Sequence, residues 1–187
     1  PLVGAVVFSG DERIADGHHA AFGGPHAEAV ALERAGARAR GATMYVNLEP
    51  CSHHGRNPPC TDAIITAGIS RVVVATLDPN PVAAGGAARL REAGVTVDVG
   101  AREKEARELN AAFLHSAVND RPWVTLKLAL SLDGALAGAG RSGGWLTNER
   151  SRAMVQRMRA GNDAIAVGVQ TAIADDPQLT ARSDPPP

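Results

Sequence analysis

The sequence predicts a layered α/β domain, followed by the start of a second α/β unit. Two observations carry this reading. Short apolar runs at residues 3–8, 43–48, 71–76 and 95–99 alternate with Ala-rich helical stretches closed by Gly36, Gly68 and Gly94, as expected when helices cover a sheet. The run Asn119-Asp120-Arg121-Pro122 then breaks the pattern, and a new apolar segment begins at Trp123, so the boundary is placed between a first domain at 1–121 and a second at 122–187.

Residues 3–8 read as a strand broken by Ser9-Gly10-Asp11, with 13–17 as its hairpin partner and His18 and His19 following. Residues 26–35 suit a helix. That puts His26 and Glu28 in its first turn about 200° apart at ~3.6 residues per turn, so Glu28 is expected to act from the next turn around. The strand at 43–48 delivers Glu49-Pro50-Cys51 at its C-terminal end, the edge where open α/β sheets bind ligands. An irregular stretch rich in His, Gly and Pro leads to Cys60, which opens a helix through 67. A helix start is expected to lower a thiol's pKa and favour the thiolate. Next come a strand at 71–76, the turn Asp78-Pro79-Asn80-Pro81, a helix at 86–93, a strand at 95–99 and one charged helix at 102–116. Beyond the boundary, a strand at 123–130, the turn Ser131-Leu132-Asp133-Gly134 and a Gly-rich loop at 141–144 are expected. A helix begins at Thr147-Asn148-Glu149 and runs to about 160. A strand at 164–169 and a helical turn at 170–174 follow.

Hydrophobic residues make up 44% of the chain and aromatics 3%, so aliphatic side chains and Ala must fill the core. A net charge of −1 argues against a nucleic-acid partner, which usually calls for a basic excess. No apolar run approaches the ~20 residues of a membrane span, and no signal peptide is visible. No membrane partner and a cytoplasmic location are expected. Both ends read as cut, since Pro1 sits directly on an apolar run and Asp184-Pro185-Pro186-Pro187 resembles the entry to a loop.

The chemistry concentrates in His26-Ala27-Glu28, Glu49-Pro50-Cys51 and Cys60. One imidazole and two thiolates can hold Zn²⁺ tetrahedrally with the fourth position left for water. Glu28 is near enough to reach that water and to relay protons to a ring nitrogen and a leaving ammonia. Zinc deaminases share this pattern, H-x-E followed by P-C-x-x-C, although here eight residues separate the two Cys. Two alternatives stay open. One is a disulfide or a pair of free thiols, the former disfavoured in a cytosolic setting. The other is a structural zinc with His53 or His54 as fourth ligand.

Together, His26-Ala27-Glu28, the run Glu49-Pro50-Cys51-Ser52-His53-His54-Gly55-Arg56-Asn57-Pro58-Pro59-Cys60 and Asp78-Pro79-Asn80-Pro81 resemble the bifunctional deaminase/reductases of riboflavin biosynthesis. The resemblance implies a three-layer cytidine-deaminase-like domain that deaminates a diaminopyrimidinone bearing a ribosyl 5-phosphate chain. In that comparison His26, Cys51 and Cys60 hold zinc, Glu28 is catalytic, and His19, His53 and Arg56 contact substrate. A cationic Arg suits a phosphate monoester. Two departures are visible: the family's first helix and Asn-bearing segment are missing ahead of Pro1, and residues 82–88 lack an expected basic residue.

From Pro122 onward the chain is similar to the start of the family's reductase, which has a dihydrofolate-reductase-like fold and uses NADPH. The similarity rests on Lys127-Leu128-Ala129-Leu130-Ser131-Leu132-Asp133-Gly134, Gly144-Trp145-Leu146-Thr147 and the run from Ala174 to Arg182. By position, Ala129, Trp145, Thr171, Asp175 and Leu179 would face NADPH, and Arg159 and Arg182 the substrate phosphate. Gly143 stands where the family has a Ser, with Ser142 beside it. Only the incomplete start of the reductase is present. A small phosphorylated pyrimidine as substrate and a homo-oligomeric state are expected. A zinc deaminase of another base, such as guanine or cytosine, and a non-catalytic zinc-stabilised binding module are the rival readings.

Overall fold

The computed structural model describes residues 1–136 and 145–182. The Gly-rich loop expected at 141–144, with Ser142, Gly143 and Gly144, and the terminal Asp184-Pro185-Pro186-Pro187 lie outside the described residues. The chain forms two compact units, Pro1–Val124 and Thr125–Pro187.

The first unit contains β1 (Gly4–Ser9), β2 (Glu12–His18), α1 (Ala27–Ala35), β3 (Thr43–Leu48), α2 (Cys60–Ala67), β4 (Arg71–Thr76), α3 (Gly86–Glu92), β5 (Thr96–Val99), α4 (Glu103–Leu109) and α5 (Ala111–Val118). Their sheet has the order β2-β1-β3-β4-β5. β1 is antiparallel to β2 and β3, whereas β3, β4 and β5 run parallel. The tight turn at Gly10 joins β1 to β2 directly, while the parallel strands require helical crossovers. These are α2 and α3. Pairing of Leu48 with Thr76 brings the ends of β3 and β4 to one edge of the sheet.

β4 explains the layering. Its Val72 and Val74 join Val7, Met44, α1's Ala31 and Leu32, α2's Ile64 and α3's Leu90 in one core cluster. Val73 and Ala75 are buried outside that cluster, on the side where α4 packs over β3 and β4 and buries Ala106. A strand covered on both faces reads as a continuous apolar run, which is why β4 is plain in the sequence. The first unit is therefore the three-layer α/β domain. α1 lies very close to β2: a Cβ at Gly17 would fall 2.3 Å from the Ala27 carbonyl oxygen.

Two expectations fail in this part of the chain. The single helix at 102–116 is divided at Asn110, whose backbone (φ −108°, ψ 22°) leaves the helical region. Asn110 is buried; its side chain accepts from the Leu2 N–H at 2.7 Å and donates to the Leu2 carbonyl at 3.0 Å. This tertiary anchor overrides helix continuity. Second, 123–130 forms no strand, and Leu126, Leu128 and Leu130 are exposed.

The second unit contains α6 (Glu149–Ala160) and α7 (Val169–Asp175) among its described residues. α6 starts as expected, with the Asn148 side chain accepting from the Ser151 N–H at 3.0 Å, an N-cap that satisfies an otherwise orphaned donor. The strand expected at 164–169 is absent, and Val169 instead starts α7. A strand is defined by a neighbour that takes up its N–H and C=O groups, and the described residues offer none to either segment. No described helix is long and apolar enough to cross a membrane.

Candidate functional site

The site lies at the edge of the sheet reached by the C-terminal end of β3. Immediately beyond the strand, Glu49 and Pro50 are buried and Cys51 is half-buried. α2 begins at Cys60, whose N–H donates to Cys51 Sγ at 3.4 Å. From the opposite side, His26 presents Nδ1 3.2 Å from Cys60 Sγ and 3.6 Å from Cys51 Sγ.

His26 is not in the first turn of α1. It is the N-cap, with extended backbone (φ −73°, ψ 157°). The separation of about 200° calculated for two helical residues therefore does not apply. An extended N-cap turns the imidazole toward the sulfurs while Glu28, on the first turn, stays buried beside them.

The ligand atoms of His26, Cys51 and Cys60 lie within 4.8 Å of one another. Tetrahedral zinc, with Zn–S of about 2.3 Å and Zn–N of about 2.0–2.1 Å, needs ligand atoms roughly 3.5–3.8 Å apart. These residues fit the ion in kind and in spacing. Both cysteines are free thiols, so the disulfide alternative is not what the fold builds. Among the described residues neither His53 nor His54 joins the cluster; His54 is exposed.

Burial raises the Glu28 carboxyl above its ordinary range, with the nearby Cys51 charge adding to the effect and His26 opposing it. Cys51 is lowered to about 5, first by the hydrogen bond it receives from Cys60. The same hydrogen bond pushes Cys60 up, as do burial and the Glu28 charge. The lowering expected for a thiol at the start of a helix is thus opposed at Cys60 by the neighbouring sulfur, by burial and by the Glu28 carboxylate.

A cavity of about 190 Å³ opens on this cluster, with His26, Glu28, Cys51, His53, Asp78 and Asn80 in its walls. It adjoins a second space of about 320 Å³ bounded by His19, Phe22, His53, Arg56 and Asn57. His19 is fixed twice. Its Nδ1 donates to the Pro25 carbonyl at 3.0 Å, and its ring meets the His26 ring edge-to-face at 5.5 Å. The Arg56 guanidinium stacks 4.6 Å from the centre of the Phe22 ring, and the Asn57 amide donates to the Gly24 carbonyl at 2.8 Å. These contacts join the loop after Cys51 to the loop before His26. All seven residues singled out in the first domain (His19, His26, Glu28, Cys51, His53, Arg56 and Cys60) thus converge on one place.

Other residues at this place carry no role in the sequence reading. Phe22 and Asn57 act through contacts between loops far apart in sequence, which no local pattern signals. Asp78 and Asn80 enter the sequence reading as a turn and as part of the motif that carries the resemblance, with no role of their own. Burial raises the Asp78 carboxyl, and its hydrogen bond from the Asn80 N–H, at 2.9 Å, opposes that rise. Glu49 had a legible signal, a carboxylate at the end of a buried strand.

The second unit brings its predicted residues together less completely. The Arg159 guanidinium donates to the Thr180 carbonyl at 3.0 Å. Arg182 donates from its backbone to Gln156 Oε1 and from its side chain to Gln178 Oε1, at 2.8 and 2.9 Å. Both arginines therefore belong to the contact between α6 and the segment after α7. Trp145 stacks against Arg152 at 4.9 Å, and Thr171 and Asp175 lie one turn apart on α7. Ala129 is half-buried in an irregular stretch, and Leu179 adopts a positive φ of 53°. Among the described residues no hydrogen bond or ring contact joins Ala129, Trp145, Thr171, Asp175 and Leu179 to one another.

Comparison with known proteins divides the chain in a similar way. Residues 1–76 match the cytidine and deoxycytidylate deaminase zinc-binding region, and residues 122–187 match the RibD C-terminal domain. The riboflavin biosynthesis protein RibD of Aquifex aeolicus is 53% identical over 186 residues, covering 99% of this chain and 52% of the relative. RibD of Acinetobacter baumannii superposes with a TM-score of 0.90 at 47% identity, over 97% of this chain and 51% of that one. A diaminohydroxyphosphoribosylaminopyrimidine deaminase/5-amino-6-(5-phosphoribosylamino)uracil reductase from Thermotoga maritima gives a TM-score of 0.91 at 45% identity, over 96% and 52% of the two chains. With both units matched at this level of identity, the chain belongs to the RibD family, and it spans about half the length of the curated relatives it matches.

Proposed function

We propose that the first domain, residues 1–121, carries out zinc-dependent hydrolytic deamination of a diaminopyrimidinone bearing a ribosyl 5-phosphate chain. Residues 122–187 are then part of an NADPH-dependent reductase that acts on the ribosyl chain in the same riboflavin pathway. The observation that carries the reading is the convergence of His26, Cys51 and Cys60 beside a buried Glu28 at the floor of a cavity. Family membership supports it, as does the T. maritima relative, whose name states both activities.

Zinc held by His26, Cys51 and Cys60 supplies Lewis-acid activation of water near neutral pH. The remaining work falls to the side chains. Glu28, its carboxyl raised by burial, takes a proton from the attacking water and gives it to a ring nitrogen. It then passes the second proton to the departing ammonia, so that water replaces the amino group and the carboxylate ends as it began. His19 braces the His26 ring by their edge-to-face contact. The smaller space suits a planar heterocycle between His53 and Asp78. The adjoining one suits the ribosyl phosphate, with Arg56 offering a planar fork to its oxygens.

In the second unit, Arg159 and Arg182 are assigned to the reductase substrate phosphate, and Ala129, Trp145, Thr171, Asp175 and Leu179 to NADPH. A cytoplasmic homo-oligomer without a nucleic-acid partner completes the proposal. The test is ammonia release from the phosphoribosylated diaminopyrimidinone, compared with cytidine and guanine, at known zinc content. Strong preference for the phosphoribosylated compound is expected; equal or better turnover of cytidine or guanine would transfer the site to another base.

A further inference from the structure

We infer that Glu49 is a positioning residue that fixes one wall of the cavity against the metal-binding wall. The assignment of Cys51 and its partners to a deaminase centre underlies the activity readout, but the geometry stands by itself. Glu49 is 6% exposed, and no ion pair among the described residues includes it. Two backbone amides satisfy its oxygens instead. Oε1 accepts from the Ala87 N–H at 2.8 Å and Oε2 from the Asp78 N–H at 3.1 Å.

Those two donors belong to separate segments, the turn after β4 and the first turn of α3. The Glu49 main chain belongs to a third, since its N–H donates to the Thr76 carbonyl at 2.9 Å and extends the β3–β4 pairing by one residue. Cys51 follows two residues later. One carboxylate therefore ties the strand end that delivers a metal-binding thiol to the segments that supply Asp78, Asn80 and Ala83 to the cavity. The approach is tight. A Cβ at Gly86 would fall 1.8 Å from the Pro50 carbonyl oxygen, so α3 is seated directly on the Glu49-Pro50 backbone. The Ser52 hydroxyl donates to the Ala84 carbonyl at 2.8 Å and closes the same junction from the other side.

A neutral amide cannot replace the carboxylate here. It has one oxygen to accept with, and its NH₂ would face a second N–H donor. Glu49→Gln should therefore release either the Asp78 turn or the start of α3, while the backbone that places Cys51 stays paired to β4. The expected result is a KM for the phosphoribosylated substrate raised roughly tenfold or more, about the worth of one hydrogen bond to a charged acceptor. The kcat should stay within a few-fold and zinc near one per chain. An unchanged KM, a fall in kcat alone, or zinc loss in step with activity would overturn the assignment.

A second measurement uses the unmodified, zinc-loaded chain and needs neither a folded variant nor a substrate. The amides of Asp78 and Ala87 should exchange with solvent deuterium slowly, in step with the β3–β4 amides, although Asp78 lies in a turn. Loop-like exchange at either amide would overturn the proposal. If the unmodified chain releases no ammonia at all, the deaminase reading fails, and the exchange result still decides the role of Glu49.

Discussion

At the scale of single side chains, the proposed mechanism divides the work of the site between Glu28 and Arg56. Glu28 is buried beside the sulfurs but outside the ligand set, so Glu28→Gln should retain zinc and lose ammonia release by ~10²–10⁴-fold, the usual worth of a general acid–base group. Near-full turnover in a zinc-loaded variant would remove the proton relay from the mechanism. Arg56 is exposed and stacked on Phe22, so Arg56→Ala should leave zinc in place and raise KM for the phosphorylated substrate about ten- to a hundredfold. Equal losses with a dephosphorylated substrate would show that the guanidinium supports the loop instead. Residue types and spacing made His26, Glu28, Cys51 and Cys60 legible in the sequence, because few other chemistries need that set. The stacking of Phe22 on Arg56 was not legible, since it joins two loops whose separation in sequence carries no pattern.

At the level of elements, legibility followed burial. β4 is buried almost throughout and appears as an apolar run, and α2 is bounded by Cys60 and by Gly68, whose φ of 73° suits glycine. Elements decided by a distant partner were misread. Asn110 divides one expected helix because it is needed at Leu2, and His26 leaves α1 to become its cap. The segments at 123–130 and 164–169 have strand-like sequences but no strand beside them among the described residues. The contact between β2 and α1 gives a test at this scale. Gly17→Ala places a methyl 2.3 Å from the Ala27 carbonyl oxygen, and it should destabilise the first unit by about 1–3 kcal/mol, as overpacking does. A lower denaturation midpoint with an unchanged m-value would report it; an unchanged midpoint would mean that α1 can shift at little cost.

Across the whole first unit, the proposed zinc ligands come from the cap of α1, the end of β3 and the start of α2, so zinc would clamp three elements that the fold otherwise joins by packing. A ligand that binds only the folded state stabilises it by mass action. The first unit should therefore unfold at lower temperature after chelation, and zinc at one equivalent should restore the transition. The single measurement closest to the central claim joins that titration to chemistry. Ammonia release from the phosphoribosylated diaminopyrimidinone is followed while zinc is returned to the chelated chain. Release should be absent without metal, rise in proportion to zinc, and level off near one equivalent per chain. Full turnover in the zinc-free chain, or none in a chain holding one zinc, would contradict it.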